Sequence, residues 1–135
     1  MSADSRLSQR LLQGLQRILF GQVAFSPDEE YQAFRYKFLI VLMVSGAVVT
    51  GLFILGTLSQ INPIGWAHGR SMMFFTATTT LLWLLLRNRP ERFIRIGWAY
   101  EVLAFWEATS SLLYVSVDEL RLLWFFTNVP GVFIL

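Results

Sequence analysis

Between Phe38 and Leu58 the chain carries no charged side chain, and its only polar ones are Ser45, Thr50 and Thr57. A helix over this stretch is apolar around its whole circumference and has no face to give to water. It needs either lipid or a very large protein core, and a chain of 135 residues is too short for the second. Composition agrees: 55% of residues are hydrophobic and 15% charged, where a soluble domain carries about a quarter charged. Trp66–Leu86 and Ile96–Val117 are similar runs with polar insertions, and Leu122–Leu135 is a fourth. The expected fold is all-α, a polytopic transmembrane bundle preceded by a cytoplasmic amphipathic helix. Four spans are expected at 38–58, 65–86, 96–117 and 119–135, the last incomplete. Residues 1–25 then form an interfacial helix and linker, and 26–135 the membrane domain.

The third run carries two carboxylates, Glu101 and Glu107. Its eight Ile, Leu, Val and Phe residues favour insertion by about 2.4–4.8 kcal/mol, while two central acids cost about 5–7. Such a helix is not expected to cross lipid alone. Its carboxyls should face protein inside a bundle.

Residues 5–20 read as an amphipathic helix. Arg6, Arg10, Gln13 and Arg17 share one stripe, opposite Leu7, Leu11, Leu12, Leu15, Ile18 and Leu19. This pattern suits the inner headgroup region, or docking on a partner or a downstream domain. Ser26-Pro27-Asp28-Glu29 then supplies a capping box with proline at the first helical position, so one long helix is expected to run on into the first span. Gly46, Ala47 and Gly51 are small residues suited to close helix packing. Pro130 and Gly131 interrupt the last run and predict a kink.

Arg35, Lys37, Arg87, Arg89, Arg92 and Arg95 fall on one side with Arg6, Arg10 and Arg17, whereas His68, Arg70 and Arg121 fall on the other. The positive-inside rule places the N-terminus and the 87–95 loop in the cytoplasm. From Glu119 to Leu135 the last helix extends only about 25 Å and lacks a basic anchor, which suggests the N-terminal piece of a longer protein.

Intramembrane ionisable groups mark functional sites. Glu107 is expected to meet Arg70, with His68 and Arg121 as further outer-side candidates for ligand sensing; the alternative is an ion pair that only fixes helix register. Glu101 is expected to meet Lys37 or Arg95 on the inner side as a structural contact. The two acids point about 120° apart on the helix, which argues against a shared proton or metal. With no cysteine and one histidine, thiolate and bis-histidine sites are excluded. No nucleophile–base set or phosphate loop is present, so no catalytic residue, metal or cofactor is assigned, and the charges form no nucleic-acid patch.

Three stretches carry a family resemblance: Arg35-Tyr-Lys-Phe38, Ile61-Asn-Pro-Ile-Gly65 and Asp118-Glu-Leu-Arg-Leu-Leu-Trp-Phe-Phe126. Over roughly residues 30–135 the chain resembles the N-terminal membrane sensory regions of bacterial signalling proteins, especially those preceding a GGDEF diguanylate cyclase domain. The resemblance implies a multi-pass inner-membrane input domain with its N-terminus cytoplasmic. It also implies a downstream cytoplasmic output domain, here one that makes cyclic-di-GMP; homodimerisation and response to a small outer-side or lipid-soluble ligand are expected from the outer-side polar cluster, the kinked last helix and its truncation. The alternatives are a small oligomeric four-helix proton-coupled transporter or channel subunit, and a structural subunit of a larger complex.

Overall fold

The structure, a computed structural model, describes the backbone of residues 3–59 and 66–114, and side chains over 8–59 and 66–110. The expected fourth span, with Arg121, Pro130 and Gly131, lies outside the described residues, as does the 60–65 turn. What is described is all helical. Helix α1 is Ala3–Phe20, α2 is Glu30–Leu58, α3 is Trp66–Leu86 and α4 is Phe93–Tyr114, with short 3-10 turns at Pro27–Glu29 and Pro90–Arg92 leading into α2 and α4.

Local chemistry sets the ends. Glu29 Oε2 accepts from the Ser26 amide at 3.1 Å, completing the capping box ahead of α2. Helix α1 stops at Gly21, whose φ of +74° lets its amide reach back to Arg17 O at 3.1 Å, the left-handed stop that glycine favours. Helix α3 stops at Asn88, also left-handed at φ +70°.

Helices α2, α3 and α4 run antiparallel in sequence, with α3 in the middle contacting both neighbours. Matching pairs give the register: Thr50 with Thr76 between α2 and α3, and Phe75 with Tyr100 between α3 and α4. The core is built from Tyr36, Leu39, Ile40 and Met43 of α2, Phe75 and Leu86 of α3, and Ile96, Tyr100, Leu103 and Ala104 of α4. On α2 these follow the three- and four-residue spacing of one helix face. Gly46 continues that face: a Cβ there would lie 3.3 Å from the Tyr100 hydroxyl and 3.6 Å from Phe75, so a small residue is needed where three helices meet. Ala47 borders the α2–α3 groove. Gly51 does not act as a packing residue among the described ones, because a Cβ there meets nothing within 4 Å; it falls off the α3-facing stripe that Thr50 occupies.

Polar side chains enter the interior while many large apolar ones stay outside. Thr50, His68, Thr79, Glu101, Glu107 and Ser110 are buried, while Leu52, Leu55, Phe74, Leu81, Val102, Phe105 and Trp106 are exposed. Among the described residues one helix, the 32-residue Pro27–Leu58 segment, is long and apolar enough to cross a membrane, and only 28% of its apolar window is buried against the rest of the chain. Helices α3 and α4, at 21 and 22 residues, extend about 31–33 Å but carry more polar positions.

Candidate functional site

The most polar point of the interior lies where α3 crosses α4. Antiparallel register sets Ser71, in the second turn of α3, opposite Glu107 of α4, and Ser110 follows Glu107 on the same face at the i+3 position. Glu107 is 1% exposed. The Ser71 hydroxyl donates to Glu107 Oε2 at 2.6 Å, and Ser71 Oγ and Ser110 Oγ lie 2.9 Å apart. Since Ser71 spends its one proton on the carboxyl, Ser110 is the donor when the two hydroxyls bond. The result is a chain of hydroxyls, Ser110 to Ser71 to Glu107 Oε2, in which each bond polarises the next. Ser110 Oγ also lies within reach of its own helix, 2.9 Å from Glu107 O.

The other carboxyl oxygen, Glu107 Oε1, is buried without a hydrogen-bond partner. A carboxyl with one oxygen filled by hydroxyls and the other open is chemically suited to hold or exchange a proton or a small cation. His68 lies one turn from Ser71 on the same face of α3 and is itself buried.

Arg70 is not the partner of Glu107. It is exposed, and its guanidinium lies 5.8 Å from the Trp66 ring centroid, one turn back on its own helix. The reason is azimuthal: adjacent helix residues point 100° apart, so once Ser71 faces α4, Arg70 is turned to the outside. Glu101 likewise lacks the expected partners. It is buried with Oε1 unpaired, whereas Lys37 and Arg95 are both exposed. Lys37 instead borders α1, beside Gln13 and Arg17.

Residue-by-residue reading of the sequence missed Ser71 and Ser110. Their signal is the Glu-x-x-Ser spacing on α4, combined with the hairpin register that brings Ser71 level with it.

A second set of contacts, equally unforeseen, ties α1 to the opposite end of the bundle. The last carbonyls of a helix have no intrahelical donor; Arg17 O takes the Gly21 amide, and three side chains from elsewhere add further donors. Arg87 Nη2 donates to Arg17 O at 3.1 Å, and Trp83 Nε1 to Leu19 O at 2.9 Å. The Tyr36 hydroxyl lies 3.1 Å from Leu86 O and 3.4 Å from Phe20 O, sharing one proton between the ends of α3 and α1. The Gln22 amide completes the tie by donating to Asn88 Oδ1 at 2.8 Å. Next to it, an open cavity of about 400 Å³ is lined by Phe25, Glu29, Arg35, Tyr36, Glu91 and Phe93, among others, with the Arg35 guanidinium 5.2 Å from the Phe93 ring centroid.

Among the described residues no group of three or more His, Cys, Asp or Glu is placed to hold a metal ion. Comparison with protein-family models, with curated proteins and with solved structures gives no match, so the function of this carboxyl–hydroxyl chain has to be argued from its own chemistry.

Proposed function

We propose that the chain is the multi-pass membrane input domain of a bacterial signal-transduction protein. Its N-terminus and 87–95 loop lie in the cytoplasm, and it works as a homodimer on an output domain of diguanylate cyclase type. The observation that carries the reading is Glu107: a carboxyl 1% exposed, bonded across two helices to serine hydroxyls, in a bundle whose outer surface is apolar. An ionisable group in that setting has a high energetic cost and is characteristic of sensing or ion-handling sites. The outward-facing Leu, Val, Phe and Trp side chains of α2, α3 and α4 support lipid on all sides. The basic residues at the α1 end of the bundle support a cytoplasmic orientation for that end.

Charge and hydrogen bonding at Glu107 set how closely α3 packs on α4. The same hairpin ends in Trp83, Arg87 and Asn88, which hold the end of α1 and Gln22 just beyond it, so a change at one end has a physical route to the other. The test is the cyclic-di-GMP level in cells producing the full-length protein with Glu107→Gln. Gln keeps an oxygen for Ser71 but cannot ionise. A several-fold change in level is expected. A level equal to the parent's, at equal membrane abundance, rejects the reading.

A further inference from the structure

One surface of α1 has no role in that reading. Leu11, Leu12, Leu15 and Ile18 are 57–65% exposed and form a continuous stripe. On the opposite side Gln13, Gln16 and Arg17 border Lys37 of α2. Residues 8–18 of α1 are exposed on both faces, only Leu19 and Phe20 being partly buried, and none of the described residues covers the stripe.

We propose that this stripe docks on anionic phospholipid at the cytoplasmic face of the membrane, with the ties to α1's last carbonyls holding the helix at that level. Charge complementarity selects this occupant. Arg10 and Arg17 form the cationic face of the same helix, opposite the stripe, and the same end of the bundle carries Arg35, Lys37, Arg87, Arg89, Arg92 and Arg95 against Asp28, Glu29, Glu30 and Glu91. A helix with a leucine face and a cationic polar face, set in a basic neighbourhood, is the composition that binds acidic headgroups. The ties then make the attachment consequential: α1 is bonded to Trp83 and Arg87, and Gln22 just beyond it to Asn88, at the α3–α4 turn. Docking and release of α1 thus act on the hairpin that carries Glu107. The proposal rests on the multi-pass reading only for setting α1 beside the bilayer.

The chain has no cysteine, so Leu15→Cys and, separately, Val48→Cys on the exposed side of α2 each give one site for an environment-sensitive fluorophore. The whole chain is reconstituted in phosphatidylcholine vesicles with and without phosphatidylglycerol, and quenched by nitroxide-labelled lipid or by aqueous iodide. The expected result at position 15 is lipid quenching that depends on phosphatidylglycerol, weakened about five-fold in docked-to-undocked ratio by Arg10→Gln. Iodide quenching in both lipids overturns the proposal. So does protection from both quenchers, which means that protein covers the stripe, and so does lipid quenching indifferent to phosphatidylglycerol. Quenching by lipid at 48 without quenching at 15 overturns it while leaving the spanning reading intact. The reverse pattern supports surface docking and rejects the span.

Discussion

Glu107 and Gly21 illustrate two ways in which one residue constrains this molecule. Glu107 Oε2 has a close donor in Ser71 at 2.6 Å and a more distant one in Ser110 at 3.3 Å, so the two serines are not equivalent. Ser71→Ala removes the bond to the carboxyl at 2.6 Å and is expected to cost about 1–2 kcal/mol, the upper range for polar contacts between membrane helices. Ser110→Ala removes the longer bond to the same oxygen at 3.3 Å together with the polarising step, and is expected to cost less than about 1 kcal/mol. Denaturant titration of the reconstituted chain orders the two, and equal costs contradict the relay. Gly21 is constrained by space as well as by its left-handed backbone: a Cβ there would fall 1.8 Å from Asn88 Oδ1. Gly21→Ala must therefore displace Asn88 and break its bond to the Gln22 amide, in addition to a left-handed penalty of roughly 1–2 kcal/mol. In an Asn88→Gly background the side-chain clash disappears while the turn is kept, and the same substitution should show the backbone penalty plus a tight 3.2 Å approach to the residue 88 nitrogen. A double-mutant cycle with no coupling between 21 and 88 rejects this account.

At the level of elements, α1 depends on donors that belong to other helices. Trp83→Phe keeps the ring in the core and removes the donor to Leu19 O. The expected outcome is hydrogen exchange about five-fold faster at the last amides of α1, matching a bond of about 1 kcal/mol, with α2 unaffected. Unchanged exchange means that apolar packing of Phe20, not capping, holds the helix. This tie also marks the limit of what the sequence discloses. Helix starts and stops were legible because their chemistry is local: Ser26 and Glu29 are three residues apart, and the Gly21 break needs only its own backbone. Partners 64 to 70 residues apart, such as Trp83 with Leu19 or Arg87 with Arg17, depend on which azimuth each helix presents. Reach alone made Arg70 a plausible partner for Glu107; azimuth gave that place to Ser71. The burial of Glu107 and Glu101 was legible for the opposite reason, since an acid in so apolar a run has nowhere else to go.

For the whole molecule, the deciding property is which solvent the outer surface meets. Val102 is 69% exposed near the middle of α4, on the side away from Leu103 and Ala104, which enter the core. In a water-soluble bundle an exposed valine is replaced by aspartate within about 0.5 kcal/mol. At the centre of a lipid-facing helix the same change costs about 3 kcal/mol, and a short aspartate cannot reach an interface as lysine does. Val102→Asp also adds a third acid to α4, which under the proposed multi-pass reading already needs its neighbours to insert. The expected outcome is loss of α4 insertion, read as new accessibility of the 87–95 loop and of α4 to protease in sealed vesicles, while α2 remains protected. Gln9→Asp, on the exposed polar side of α1, serves as the control and leaves insertion unchanged. If Val102→Asp is protected like the parent, α4 does not face lipid at its centre. The exposed Phe105 and Trp106 must then be covered by another protein surface.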